Sequence, residues 1–309
     1  MSDTAMGPFA GELPRFRITA TNDRHALDAA MSEDRAYSAY ALAHLEYGLF
    51  EQAEFWVAEG QCGHGVLMHA GGHMGRALFA AGDPAALDAM LSLHPGPLTT
   101  YLATAAPEHL PVLERYYALS GTLEMQRMAV TAAGFTPVEG EVRRLHREDT
   151  RALNMLYSTE GAPTGYSGET IEQGVYFSAY ESGRLASVAG THVVSPNAGV
   201  AVVGNVFTHP AFRGAGLAER VTSAVTAELF DRYGCPLVAL TVNPENAPAV
   251  HAYRRLGYEL GAKVIEARLH RRDVIGLGPA LRRWMARRAG HADGVEEASG
   301  ETPGGRDTH

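Results

Sequence analysis

Apolar positions along the chain change period repeatedly, and each change marks an element. Between residues 22 and 47, Leu27 and Met31, then Ala39, Ala41, Leu42 and Leu45, follow a helical spacing. They predict two helices, with Asn22 or Asp23 as the first cap. Short apolar or alternating runs at 53–58, 65–69 and 76–81 read as strands, the last two separated by Gly71-Gly72. Asp83 and Pro84 open a helix through residue 93. Residues 98–103 are strand-like, 107–119 helical and 122–131 strand-like. Mixing of this kind argues an α/β or α+β domain rather than a helical one.

A Gly- and Pro-containing connection at 133–140 marks a domain boundary near residue 138. Beyond it, 142–145 predicts a strand, and Asp149 caps a helix ending near Tyr157. Residues 175–180 and 185–194 alternate as paired strands around a Glu-Ser-Gly-Arg turn. Residues 200–208 form another strand that enters a turn at His209-Pro210. From 214 to 233 the stripe Leu217, Val221, Ala224, Val225 and Leu229 has the period of a long helix. A β-rich run at 237–242, a helix at 246–256 closed by Gly257 and a last strand around 262–269 complete this half. An Arg-rich helical stretch at 279–288 precedes a polar tail, expected to be disordered from Gly290, and the first dozen residues read as a loose terminus. The organisation expected is therefore 1–138, 139–272 and a 273–309 extension.

Composition narrows the chemistry. A net charge of -9 argues against nucleic acid as a partner. No run approaches the ~20 apolar residues of a membrane span, and no basic, apolar leader opens the chain, so no membrane partner and a cytoplasmic location are expected. Cys62 and Cys235 lie far apart and outside any metal-spacing pattern. Lys263 is the only lysine, so a GxxxxGK[ST] phosphate loop is absent and a Schiff-base mechanism would have to use Lys263, on a strand-like run. His64, His69 and His73 fit no standard zinc spacing, and no metal is expected. No nucleophilic cysteine or G-x-S-x-G motif is present, in agreement with direct transfer rather than an acyl-enzyme. The arginines at 282, 283, 287 and 288 read as a solvated helix face, with an anionic surface as the alternative.

The most informative stretch runs from Gly204 to Ala218, where a strand, a two-glycine loop and a helix follow directly. Helix N-termini carry unpaired N–H groups and partial positive charge, and so bind anions. Gly214 and Gly216 let the backbone approach a pyrophosphate, and Arg213 adds charge. Glu219 stands where the dinucleotide fingerprint needs its third glycine, which argues against nicotinamide and flavin.

With Pro210-Ala-Phe-Arg213-Gly214-Ala-Gly216, a strand at 237–242, and Asn246-x6-Tyr253-x3-Gly257-Tyr258 in order, residues 142–271 resemble the GNAT superfamily of N-acetyltransferases. The resemblance implies a GNAT-like mixed central sheet flanked by helices, with a second, smaller α/β domain before it. It implies acetyl-CoA or another acyl-CoA as co-substrate, and attack on the thioester by an amine, small-molecule or peptide. It places the pantetheine arm along Val206, Phe207 and Thr208 as an added strand, and the pyrophosphate on Arg213, Gly214, Ala215, Gly216, Leu217 and Ala218. An N–H near Val206 would hold the developing oxyanion, Tyr253 would protonate the departing thiolate, and Asn246 would touch the cofactor arm.

Each residue also has a plainer role: Asn246 as an N-cap, Tyr253 as core, Gly257 as a C-cap and Arg213 as a surface charge. The strand before the phosphate loop carries no carboxylate, which leaves His192 as the favoured general base, a structural strand histidine being its alternative. His209 reads as solvated, Glu172 and Tyr176 are weaker candidates for the acceptor pocket, and water could also take the proton. The N-terminal half has the length and element mixture of a degenerate copy of the same fold. Lacking an Arg-Gly-x-Gly loop, it is expected to bind no cofactor and to shape the acceptor cleft. The rival readings are a non-catalytic acyl-CoA sensor and a ligand-free scaffold. The acceptor's identity and the oligomeric state stay open, a homodimer among the options.

Overall fold

The computed structural model describes residues 16–61, 63–71, 76–161 and 165–292. Cys62, His73, the expected loose start before residue 16 and the tail from 293 lie outside them. In the first half the order is β1 (Phe16–Ala20), α1 (Arg24–Ala30), α2 (Arg35–Ala43), β2 (Ala53–Gly60), β3 (Gly63–Ala70), β4 (Ala77–Gly82), α3 (Pro84–Leu93), β5 (Thr99–Ala105), α4 (Leu110–Tyr116) and β6 (Tyr117–Thr131). The second half repeats that order: β7 (Arg143–Arg144), α5 (Thr150–Ser158), α6 (Gly168–Gln173), β8 (Phe177–Glu181), β9 (Arg184–Ser195), β10 (Val200–Thr208), α7 (Leu217–Asp231), β11 (Leu237–Val242), α8 (Ala247–Arg255) and β12 (Glu259–Arg271). Helix α9 (Leu277–Ala292) follows. None of the described helices is long and apolar enough to cross a membrane.

The strands make one mixed sheet in the order β1-β2-β3-β4-β5-β12-β6-β11-β10-β9-β8-β7. Its centre is an exchange. Strand β6, from the first half, pairs antiparallel with β11, while β12, from the second half, pairs with β5. The exchanged strands pair with each other from Glu259 opposite Ala129 to Arg271 opposite Tyr117. Each half has one parallel pair, β4 with β5 and β10 with β11, and the order reads alike from either edge towards the centre.

Packing follows the apolar periods. Leu217, Val221, Val225 and Leu229 of α7 sit in one core with Val203, Val238 and Leu240, while Met128 and Val130 of β6 enter the same core from the first half. Each such side chain stabilises by about 1.5–3 kcal/mol when fully buried. On the other face α2 lays Ala39 and Leu42 beside Val193, Val200, Val202 and Ala239 of the second half. The Glu46 carboxylate, just after α2, accepts from the Ser195 hydroxyl at 2.7 Å and the Asn197 amide at 3.3 Å.

Several elements differ from the pattern-based expectation. The helix expected over 107–119 ends at Tyr116, because residues 117–119 pair with β12. Asp83 precedes α3 but does not cap it: its carboxylate accepts from the His64 amide at 2.9 Å, beside Gly63, where a Cβ would collide with it. Asp149 precedes α5 likewise, and its carboxylate pairs with Arg143 instead. Helix α6 lacks an apolar stripe and escaped detection. Helix α9 continues through the onset of disorder expected at Gly290.

The exchange has a measurable consequence. A fragment of residues 139–309 loses β6 and with it the partner of both β11 and β12. We expect that fragment to show no cooperative urea transition, while the full chain does; cooperative unfolding of the fragment alone would contradict the exchange.

Candidate active site

The parallel ladder between β10 and β11 stops at Val203 opposite Leu240. Beyond that point β10 follows β9, and β11 follows β6 until Val242, opposite Gln126. The two strands therefore splay, and the wedge between them is a cleft of about 610 Å³. Val206 and Phe207 line one wall, Thr241 and Val242 the other, and Asn246 and Tyr253 approach from α8. Met125 of β6, the residue next to the end of the β11 ladder, also lines it, so the first half supplies part of the wall.

A bulge shapes the β10 wall. The β9 register passes from Gly204–Gly190 to Phe207–Val188, leaving Asn205 and Val206 out of the ladder. Asn205 has φ 55°, a left-handed conformation that asparagine tolerates better than most residues. Three tyrosines hold it there. The Tyr157 hydroxyl donates to the Asn205 carbonyl, the Tyr166 hydroxyl to its Oδ1 at 2.6 Å, and Asn205 Nδ2 donates to Tyr176 Oη at 3.1 Å. The bulge was not singled out from sequence, and of its three tyrosines only Tyr176 was named as a site candidate, although Gly204-Asn205 inside a β-branched run was a legible sign of a strand break.

The loop that follows is open. Residues 213–216 are exposed, Gly214 and Gly216 have φ 82° and 73°, and a Cβ built on either meets no atom within 4 Å. Gly216 caps α7 without a side chain, so no side-chain cap competes for the first-turn amides. Arg213 pairs here with Glu160 and donates from Nε to the Thr208 carbonyl at 3.3 Å. Leu217 turns its side chain into the core while Ala218 stays half-buried. Glu219, in the same turn, is buried and ion-paired to Arg255 of α8 at 3.0 Å, which ties the two helices together. Thr208 is rejoined to β9, its hydroxyl 2.8 Å from that of Ser187.

Tyr253 is 7% exposed, and burial pushes its hydroxyl up to about 12. Asn246 caps α8, its Oδ1 accepting from the Ala249 amide at 3.3 Å. His192 lies in the cleft wall directly over Gly204, where any Cβ would strike its ring. His192 keeps an exposed face, yet crowding by the surrounding protein and then the Arg127 charge draw the imidazole below its ordinary value, down to about 4. Arg127, on β6, is buried, donates to the Thr241 hydroxyl at 2.5 Å, and leaves Nε without a partner. The first half was expected to shape the acceptor cleft, but sequence reading named neither Arg127 nor Met125, because the strand exchange that brings β6 there leaves no local pattern.

Other candidates fall away from the cleft. The Glu172 carboxylate accepts from the Arg147 amide at 2.9 Å on an exposed surface. Tyr176 is fully buried behind Asn205, and His209 accepts from the Ala211 amide in its turn. His64 and His69 are separate, one exposed and one buried, and the described residues contain no His/Cys/Asp/Glu group able to hold a metal. Lys263 is exposed and paired with Glu124 at 2.6 Å.

The position of His192 predicts its titration. A folded pKa below the ordinary 6.5 means that the stability contributed by the neutral ring is complete above about 6.5 and lost as pH falls towards 4. NMR titration should therefore find His192 neutral at pH 6, and Arg127→Met should move its midpoint upward. An unchanged midpoint in that variant would remove Arg127 as a cause.

The family model described as Acetyltransferase (GNAT) family matches residues 141–258. Over 85 residues the chain is 41% identical to a mycothiol acetyltransferase of Thermobifida fusca (strain YX), a match spanning 26% of either protein. This chain thus spans about a quarter of that relative's length. Among solved structures, a GCN5-related N-acetyltransferase from Kribbella flavida has TM-score 0.52 at 20% identity, covering 76% of this chain and 95% of that one. A GCN5-related N-acetyltransferase-like protein from Streptococcus suis 89/1591 has TM-score 0.51 at 16% identity, covering 78% and 99%. At such identities the likeness is one of fold, and its extent exceeds what either half alone could supply.

Proposed function

We propose, from the premise that residues 141–258 are a GNAT acetyltransferase domain, that the protein moves an acetyl or other acyl group from acyl-CoA to an amine by direct attack. The observation that carries this reading is the continuity of three features: an open glycine loop, a helix start without a side-chain cap, and a strand edge freed by the splay. A diphosphate fits the first two, since amides and partial positive charge face open space there. The extended pantetheine arm fits the third, where β10 from Gly204 onward has no β11 partner. The acyl-CoA supplies an activated thioester; the protein supplies position and charge.

In this reading the amides of Gly214 to Ala218 hold the diphosphate, the Arg213 amide being bonded to the Pro210 carbonyl at 3.4 Å, and the Arg213 side chain leaves Glu160 to join them. The bulge at Asn205 turns the Val206 amide out of the β9 ladder, towards the cleft, to donate to the developing oxyanion. A donor of this kind contributes about 3–4 kcal/mol. Asn246 keeps its cap through Oδ1 and offers Nδ2 to the cofactor arm. Tyr253 remains protonated, its pKa about 12 lying well above the ~8.5 of an ordinary thiol. It therefore acts as a hydrogen-bond donor to the departing sulfur, and full proton transfer is uphill. His192, neutral and weakly basic, accepts a hydrogen bond from the incoming amine and orients it, and water carries the proton away. The name of the Thermobifida relative is consistent with an acetyl donor.

The first half is proposed as a cofactor-less copy, with a boundary in the connection between β6 and β7. Where the second half has residues 209–216 between strand and helix, the first has Asp83 alone. A carboxylate there, followed by Pro84, replaces the anion-binding loop by a negative charge. A non-catalytic acyl-CoA sensor is the alternative, favoured by the absence of a carboxylate from β10.

Two variants test these roles. Gly214→Glu should abolish CoA-dependent thermal stabilisation, a shift of about 2.7 kcal/mol when ligand stands at 100 times its Kd; a wild-type shift in that variant rejects the loop assignment. Tyr253→Phe should lower kcat roughly 10- to 100-fold with little change in acetyl-CoA KM, read by free-thiol release against an amine panel. Equal thiol release by both proteins would favour the sensor.

A further inference from the structure

A second cavity, of about 620 Å³, lies wholly outside the cleft and shares no lining residue with it. Strands β2 and β3 give it Trp56 and His69, and the segment after α3 gives it His94, whose ring stacks on Trp56 with centroids 3.4 Å apart. Three guanidinium groups line it from three separate elements: Arg76 before β4, Arg271 at the end of β12 and Arg283 on α9. Glu54 is the one carboxylate residue among the described lining.

None of the three arginines pairs with a carboxylate among the described residues. Arg271 donates to the Gly96 carbonyl at 2.8 Å and the Asp273 carbonyl at 2.7 Å, and Arg283 donates to the Leu93 carbonyl at 2.5 Å. Carbonyls fix where a guanidinium sits without neutralising it. Arg76 is exposed and makes no hydrogen bond or ion pair with a described residue. A buried donor of the same wall, the Trp56 indole Nε1, lacks a partner, while His69 is fixed by Nε2 donating to the His94 carbonyl at 3.1 Å. Buried donors and acceptors without partners are rare and costly, and a bound ligand is one way to satisfy them. The local field is positive: burial, then the Arg283 charge, then His69 draw His94 down to about 4.

We propose that this cavity is a second ligand site, which takes a small oxyanion of metabolite size, a carboxylate or a phosphate, between the three arginines and the Trp56–His94 pair. Guanidinium groups bind such planar or tetrahedral oxyanions through charge-assisted hydrogen bonds. The volume falls within the ordinary range for small-molecule sites. The site lies at the first half's end of the sheet, with Arg271 and Arg283 brought there by β12 and α9, and it is independent of the acyl-CoA reading.

The chain contains two tryptophans, Trp56 and Trp284, so a Trp284→Phe protein reports on the cavity alone. That full-length variant is titrated with inorganic phosphate and, separately, with succinate. A saturable change in Trp56 fluorescence is expected with at least one probe, phosphate alone indicating a phosphoryl ligand and succinate alone a carboxylate. Arg76→Ala, an exposed position, should weaken that response at least roughly tenfold while leaving the urea midpoint unchanged. Arg283→Ala should weaken it as well. Absence of a saturable response to both probes overturns the proposal, as does a titration that neither substitution alters.

Discussion

The constraint on which this molecule depends is the backbone ladder between β6 and β12. Each strand is the last of its half, and each is inserted into the other half's sheet, so neither half can complete its hydrogen bonding alone. An unpaired strand edge is a liability, and the exchange places four such edges in the centre of one continuous sheet. The same crossing carries apolar side chains: Met128 and Val130 enter the core beneath α7, while Ala267 and Leu269 enter the core beneath α3. The two halves thus share cores as well as strands.

The cleft is a product of that arrangement. A parallel pair diverges only if each member has another neighbour to follow, and here β9 draws β10 away while β6 draws β11 away. Met125 and Arg127 reach the second half's cleft region because β6 belongs to its sheet. Arg127 acts there at a distance, holding the Thr241 hydroxyl and depressing the basicity of His192. The bulge at Asn205 adds the local detail, turning two residues out of the ladder under the grip of three tyrosines.

Comparison of the halves shows how a small change in connection alters chemistry. The order of strands and helices is common to both, yet the β4–α3 junction is a single aspartate whose carboxylate is engaged by the His64 amide. The β10–α7 junction is an exposed glycine loop with its helix start uncapped by any side chain. A negative charge at one helix start and an open one at the other suit opposite ligands. The cationic surface beside the first half lies elsewhere, where Arg76 meets Arg271 of β12 and Arg283 of α9.

The sequence by itself determined those features that depend on near neighbours. The period of Leu217 to Leu229 defined α7, the β-rich runs set β10 and β11, and the glycine spacing after Arg213 marked the loop, because each is written within a few consecutive residues. Tertiary structure alone decided the strand exchange, the end of α4 at Tyr116, the loss of basicity at His192 and the arrival of Arg127 beside it. Those outcomes rest on partners more than sixty residues away along the chain, and on burial that no local pattern encodes. Residues 117–119 look helical until β12 offers them a ladder, and a strand histidine looks basic until the fold crowds it and sets an arginine nearby.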